Sequence, residues 1–360
     1  MAKNSYSIAV IEGDGIGPEV VGSSLRVLDC VARRLGFGLD YRVVPGGDAA
    51  LRELGDALPR RSIEAFESTD ACLKGPVGET VRIINDRLRF DYDLYANVRP
   101  ARSYPGICPP ALRPDLDLTI VRENSEGFYR AIENEINPGV FTTTGVFTEA
   151  GAKRLARFSF EYAIRKSRLR GDGEKRAPHV VLATKANIFP RTHGLYLSAF
   201  RELAAQHPEV RFEHFYADAM CARLVRDPER FDVIASENLL ADLLSDLAGQ
   251  VAGGLGMTPG TNINYETRRA YFEPTHGSAP DIAGKGIANP IGQVRSAAML
   301  LDYLAMVHGD ERLERASTSI EASIGALLNS RSESSLPMEL GGKLGSSEFT
   351  DAIVARLEAR

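Results

Sequence analysis

The order in which apolar runs, turns and helical periods follow one another at the amino end constrains the fold most. Ser7-Ile8-Ala9-Val10-Ile11 is a short unbroken apolar run, the pattern of a strand buried on both faces. Residues 12–17 form a glycine-rich turn, and Pro18-Glu19 suits the first turn of a helix that reaches to about Gly36. The pattern then repeats. A strand is predicted over 39–44, a helical stretch from Asp48, and a third strand at Ala71-Cys72-Leu73 before Lys74-Gly75-Pro76 turns the chain. Strand alternating with helix favours an α/β fold with a largely parallel sheet.

Further along, 115–122 reads as an apolar strand closed by the charged run Arg122-Glu123-Asn124-Ser125-Glu126-Gly127, where a surface loop would carry function. Residues 141–144 look like an extended arm. A helix over 149–168, a polar linker over 170–176 and a strand over 179–184 come next, followed by a strand over 232–236 and a helix over 239–251. The glycine-rich 253–260 segment suits a crossing between domains. With 360 residues the chain is too long for one ordinary core, so two domains are expected.

Composition narrows the class. A hydrophobic fraction of 44%, 25% charged residues and a net charge of −5 describe a globular protein and argue against a nucleic-acid binder. Residues 1–7 carry no apolar signal core, and no run approaches the ~18 apolar residues of a membrane span, so a cytoplasmic protein with no membrane partner is expected. Cys30, Cys72, Cys108 and Cys221 lie far apart without CxxC spacing, which predicts free thiols.

Three groups of residues could carry chemistry. Asp242 and Asp246 are four apart in a predicted helix and share its face, as two hard oxygen ligands for Mg²⁺ or Mn²⁺ would, although a solvated acidic face explains the spacing equally well. Arg89, Arg99 and Arg122 each close or flank an apolar run. Together they would clamp a polycarboxylate; singly, each suits a surface ion pair. The stretch 274–290, dense in turn formers, either wraps a ligand or is a long surface loop. The glycines at 13, 15 and 17 do not match the GxGxxG dinucleotide fingerprint, which is rejected.

In order along the chain these segments resemble the β-decarboxylating dehydrogenases of isocitrate, 3-isopropylmalate, homoisocitrate and tartrate. The resemblance rests on Glu12-Gly13-Asp14-Gly15-Ile16-Gly17-Pro18-Glu19, Tyr95-Ala96-Asn97-Val98-Arg99-Pro100, the Arg122 run continued through Phe128-Tyr129, Lys185-Ala186-Asn187, Glu237-Asn238-Leu239 with Asp242 and Asp246, and His276-Gly277-Ser278-Ala279-Pro280-Asp281. It implies an isopropylmalate dehydrogenase-like two-domain α/β fold with a mixed, largely parallel sheet and helices on both faces. The large domain would hold 1–100 and 255–360, and the smaller one 101–254. Arg89, Arg99 and Arg122 would hold the malate carboxylates, with Asn85 also at the substrate. Lys185 would help remove the hydroxyl proton and Tyr129 would reprotonate carbon 3. Asp242 and Asp246 would bind Mg²⁺ or Mn²⁺, joined by Asp218 from a second subunit; because Lys185 and Asp218 would both reach a neighbour's site, a homodimer is expected. Asn187, His276, Gly277, Ser278, Ala279, Asp281, Ile282 and Asn289 would line the cofactor. Relatives that prefer NADP tend to carry lysine and tyrosine where this chain has Asp281 and Ile282, so NAD is expected.

The helical stretch 81–89, where the resemblance places substrate choice, fits no member cleanly. Ile83 stands where isocitrate enzymes usually have serine, Asn85 and Asp86 where isopropylmalate enzymes prefer leucines, and Asp86 where homoisocitrate enzymes use arginine. Leu240-Ala241 replaces the aromatic and glycine common at those places, and nothing in the sequence explains it. The carbon-3 substituent is therefore open. Oxidation of tartrate or malate, and a non-catalytic regulatory subunit, remain as alternatives.

Overall fold

The structure is a computed structural model that describes residues 3–107, 111–169, 177–330 and 332–359; Cys108 and the polar linker at 170–176 lie outside these residues. In chain order the strands are β1 (Ser5–Ile11), β2 (Gly38–Val43), β3 (Ala71–Lys74), β4 (Ala96–Arg102), β5 (Asp117–Glu123), β6 (Gly127–Asn137), β7 (Val140–Val146), β8 (His179–Thr184), β9 (Arg211–Tyr216), β10 (Val233–Ser236), β11 (Pro259–Asn264) and β12 (Arg269–Pro274). The helices are α1 (Gly17–Leu35), α2 (Asp48–Leu54), α3 (Arg60–Ser68), α4 (Val81–Asn85), α5 (Glu149–Leu169), α6 (Thr192–Gln206), α7 (Ala217–Arg226), α8 (Asn238–Ala252), α9 (Ile291–His308), α10 (Glu311–Leu328) and α11 (Ser346–Glu358). Two compact units result: Met1–Tyr92 with Ser103–Asp115 and Ala252–Arg360, and Asp93–Arg102 with Leu116–Val251.

In the first unit the strands run in the order β2-β1-β3-β12-β11, parallel except for the β11–β12 hairpin. Ile8, Val10 and Ile11 are fully buried, as their unbroken apolar run requires, whereas β2 is half-exposed. Pro18 sits in the first turn of α1, and Gly36 ends the helix in the left-handed conformation at φ 72°. The 253–260 segment is not all loop: Pro259 and Gly260 open β11, the first position of a strand being one of the few that tolerate proline. Helix α4 does not run unbroken to Arg89 either, because residues 86–90 continue it as a wider π-helical turn.

The second unit orders its strands β4-β5-β10-β8-β9, parallel except for β4 against β5. All six residues of β8 are buried. The predicted extended arm is the second strand of an exposed antiparallel ribbon, β6 with β7. The mixed, mostly parallel sheet expected from strand–helix alternation is present. Cys30, Cys72 and Cys221 are free thiols, and no helix among the described residues is long and apolar enough to cross a membrane.

Candidate active site

Strand register builds the first part of the site. Asn97 of β4 lies opposite Arg122 of β5, and Arg99 is two residues along from Asn97. Side chains alternate faces along a strand, so Asn97, Arg99 and Arg122 share one. Helical spacing builds the second part, since Asn238, Asp242, Ser245 and Asp246 form one stripe of α8.

The two surfaces meet at Asp242. Arg99 Nη1 donates to Asp242 Oδ1 at 3.0 Å, to Ser245 Oγ at 2.7 Å and to Asp246 Oδ1 at 3.4 Å. Arg122 Nη1 donates to the same Asp242 oxygen, and the Tyr129 hydroxyl donates to the other. The Tyr129 ring lies 4.6 Å beneath the Arg122 guanidinium. Burial, helped by the Asp242 carboxylate, pushes the Tyr129 phenol above its ordinary pKa against the pull of Arg122. Burial likewise raises Asp246 despite nearby Arg99.

An acid held uncomfortably charged beside a second carboxylate is a setting that a hard cation relieves, and Mg²⁺ or Mn²⁺ takes one or two carboxylates and completes its shell with substrate and water. Asp242 and Asp246 fit that chemistry. Among the described residues no three acidic, histidine or cysteine side chains of one chain converge as a metal site. Asp218, in the first turn of α7, instead pairs with Lys185, their charged atoms 3.1 Å apart. Lys185 follows β8, its backbone N–H donating to His193 Nδ1 at 3.0 Å, and Asn187 is exposed in the turn beyond.

Arg89 belongs to the first unit and has different company. Its Nε donates to the Tyr271 hydroxyl at 2.9 Å and its Nη2 to Glu273 at 3.2 Å. Glu273 also pairs with buried Lys74 at 2.6 Å and accepts from Asn262 at 3.0 Å, while Tyr271 reaches Asn85 Oδ1 at 3.3 Å. Burial alone would raise the Glu273 carboxyl, but the charges of Lys74 and Arg89 outweigh it and hold the pKa at about 2. The sequence carries no cue to Tyr271, Glu273 or Lys74, because Tyr271 lies 182 residues from Arg89.

The glycine turn and the 274–290 stretch are one assembly, also in the first unit. Ile16 N–H donates to the Ser278 carbonyl at 2.9 Å. Gly15, at φ +58°, approaches so closely that an added Cβ would lie 1.9 Å from that carbonyl oxygen; at Gly13, φ +77°, it would lie 2.0 Å from the Pro76 oxygen. The alternate-residue glycines thus allow close backbone approach rather than form a phosphate loop. Beside this junction is a cavity of about 360 Å³ lined by Ile16, Leu255, His276, Ala279, Ile282 and Asn289. His276 Nε2 is buried there without a hydrogen-bond partner, and burial lowers the pKa of the ring, so a ligand with a polar edge and an apolar face fits. Gly277 and Asp281 are exposed beside it and Ser278 is half-buried.

Comparison with known proteins gives the family. A family described as isocitrate/isopropylmalate dehydrogenase matches residues 7–353. The chain is 40% identical to a 3-isopropylmalate dehydrogenase of Saccharolobus solfataricus, covering 97% of this chain and 98% of that one. It is 38% identical to a 3-isopropylmalate/3-methylmalate dehydrogenase of Methanocaldococcus jannaschii, covering 98% and 99%. The crystal structure of isocitrate dehydrogenase from Methylococcus capsulatus superposes with a TM-score of 0.86 at 36% identity, over 98% of this chain and 99% of that one. A fold, a set of ordered motifs and relatives that agree along nearly the whole length lead to one conclusion: the chain belongs to the β-decarboxylating isocitrate/isopropylmalate dehydrogenase family, and it is a dehydrogenase.

Proposed function

We propose that this enzyme oxidises and then decarboxylates a malate substituted at carbon 3, with NAD as hydride acceptor and Mg²⁺ or Mn²⁺ as the metal. The observation that carries the reading is the convergence of Arg99, Arg122 and Tyr129 on one carboxylate, Asp242, with Asp246 beside it. Arg99 and Arg122, with Arg89, bind the substrate carboxylates. Asp242 and Asp246 hold the metal, with Asp218 supplied by a second copy of the chain, which makes the working form a dimer. A bound divalent cation supplies Lewis acidity at the substrate hydroxyl and its neighbouring carboxylate. Lys185, supplied with Asp218 by the second copy, accepts the hydroxyl proton, and Tyr129 returns a proton to carbon 3 once CO₂ has left.

The cavity beside the glycine turn takes the adenosine half of the cofactor. Asp281 at its edge accepts from ribose hydroxyls and repels a 2′-phosphate, which selects NAD. An alkyl-substituted malate is the first substrate to try. Val81 and Ile83 are 41% and 46% exposed on α4, where the resemblance puts substrate choice, and two similar relatives carry 3-isopropylmalate in their names. The cytoplasm is the compartment that fits.

The test is NADH formation with Mg²⁺ or Mn²⁺ against 3-isopropylmalate, isocitrate, homoisocitrate, tartrate and malate, each repeated with NADP. Turnover of a 3-substituted malate with NAD supports the reading. Turnover of tartrate or malate alone overturns it in favour of that rival, and silence on all five points to another carbon-3 substituent or to a non-catalytic subunit.

A further inference from the structure

Both arginines that meet Asp242 are anchored by the oxygen of a neutral amide. Arg99 Nε donates to Asn97 Oδ1 at 2.7 Å. Arg122 donates from Nε at 2.9 Å and from Nη2 at 2.7 Å to the single oxygen Asn238 Oδ1. A guanidinium has only donors, so the amide oxygens must face the arginines. The Asn238 amide nitrogen then points to the Glu126 carbonyl at 3.1 Å, which locks the orientation. Both asparagines are only 1% exposed, and neither is free to reorient.

Carboxylates usually hold buried arginines, as Glu273 holds Arg89. At Asp242 that solution would be costly. The ion pairs here join two guanidinium groups to two carboxylates, Asp242 and Asp246. A further carboxylate on this face would add negative charge where the substrate's carboxylates must bind. An amide oxygen supplies the same geometry without charge.

We propose that Asn97 and Asn238 are positioning residues that aim Arg99 and Arg122 without adding negative charge to a face that must accept an anionic substrate; this rests on the reading of Arg99 and Arg122 as substrate-binding groups. Asparagine to aspartate is nearly isosteric, so Asn97→Asp adds a charge at nearly constant shape, whereas Asn238→Asp also removes the donor to the Glu126 carbonyl, which makes Asn97→Asp the cleaner test. In the full-length enzyme with Mg²⁺ and NAD, each is expected to raise KM for the substrate by about tenfold or more, with a smaller fall in kcat. Each is also expected to make KM less sensitive to salt, because less net attraction remains to be screened. Asn97→Ala, which removes the oxygen without adding charge, separates aiming from charge: it should raise KM while leaving the salt dependence of KM unchanged, and an unchanged KM overturns the aiming role.

The probe is L-malate, titrated calorimetrically into the Mg²⁺-loaded enzyme and its variants alongside the kinetics with the best substrate. If the parent enzyme binds no malate and turns over no malate derivative, the proposed function fails. If the parent binds and a folded aspartate variant binds equally well with unchanged salt dependence, the roles of Asn97 and Asn238 are overturned. Should both aspartate variants fail to fold, Asn97→Ser and Asn238→Ser decide: a raised KM supports the proposal, and an unchanged KM overturns it.

Discussion

The guanidinium of Arg122 stacks 4.6 Å from the centre of the Tyr129 ring, whose hydroxyl donates to Asp242. One arginine therefore touches both the phenol and the carboxylate that accepts from it. Tyr129→Phe keeps the ring and the stacking but removes the proton. It is expected to lower kcat by roughly 10²–10⁴-fold while KM changes little. An unchanged kcat in the phenylalanine variant would remove Tyr129 from the chemistry.

Glu273 governs an acid limb of stability. Its carboxyl is held at about 2 against an ordinary value of 4.5, because the Lys74 and Arg89 charges outweigh burial. A depressed folded-state pKa contributes stability that is fully present above 4.5 and is lost as pH falls toward 2. Glu273→Gln leaves Lys74 and Arg89 buried without their carboxylate, and unfolding at neutral pH should become easier by about 3–5 kcal/mol. Urea titrations across pH 2 to 7 check both the loss and the flattened acid dependence. Equal stability of the two proteins at neutral pH would refute the account.

Gly15 tests the junction between the glycine turn and the cofactor loop. Gly15→Ala forces a side chain into a left-handed backbone at φ +58° and against the Ser278 carbonyl. The backbone conformation alone costs roughly 1–2 kcal/mol, and displacement of Ser278 should raise KM for NAD. Gly22→Ala is the control. It lies within α1 with nothing within 4 Å of the added carbon, so thermal melting should show a gain of about 0.5–1 kcal/mol and unchanged kinetics.

Coenzyme choice turns on Asp281 and Ile282. The double substitution Asp281→Lys with Ile282→Tyr should raise kcat/KM for NADP and lower it for NAD, each by about tenfold or more, since a cation replaces an anion at the ribose edge. If the ratio of the two efficiencies does not move, the pocket beside His276 is not where the adenosine ribose sits.

What could be read along the chain was whatever a local repeat encodes. The unbroken apolar run of β1, the Pro18 start and Gly36 end of α1, and the alternation of strand with helix follow from neighbours a few residues apart. So does the i, i+4 spacing that sets Asp242 and Asp246 on one face of α8. Strand alternation and helical spacing also put Asn97 with Arg99 and Asn238 with Asp242, a pairing that the sequence reading did not draw and that says nothing of which partner each amide meets. Tertiary structure alone decided that Arg99 and Arg122 reach one carboxylate 143 and 120 residues away, that Glu273 joins Lys74 to Arg89, and that Gly13 and Gly15 make room for the carbonyls of Pro76 and Ser278. The physical reason is range. Backbone periodicity is fixed by steric and hydrogen-bond rules between near neighbours, whereas a buried ion pair forms only when strand order and register bring distant segments together and exclude the water that would otherwise separate their charges.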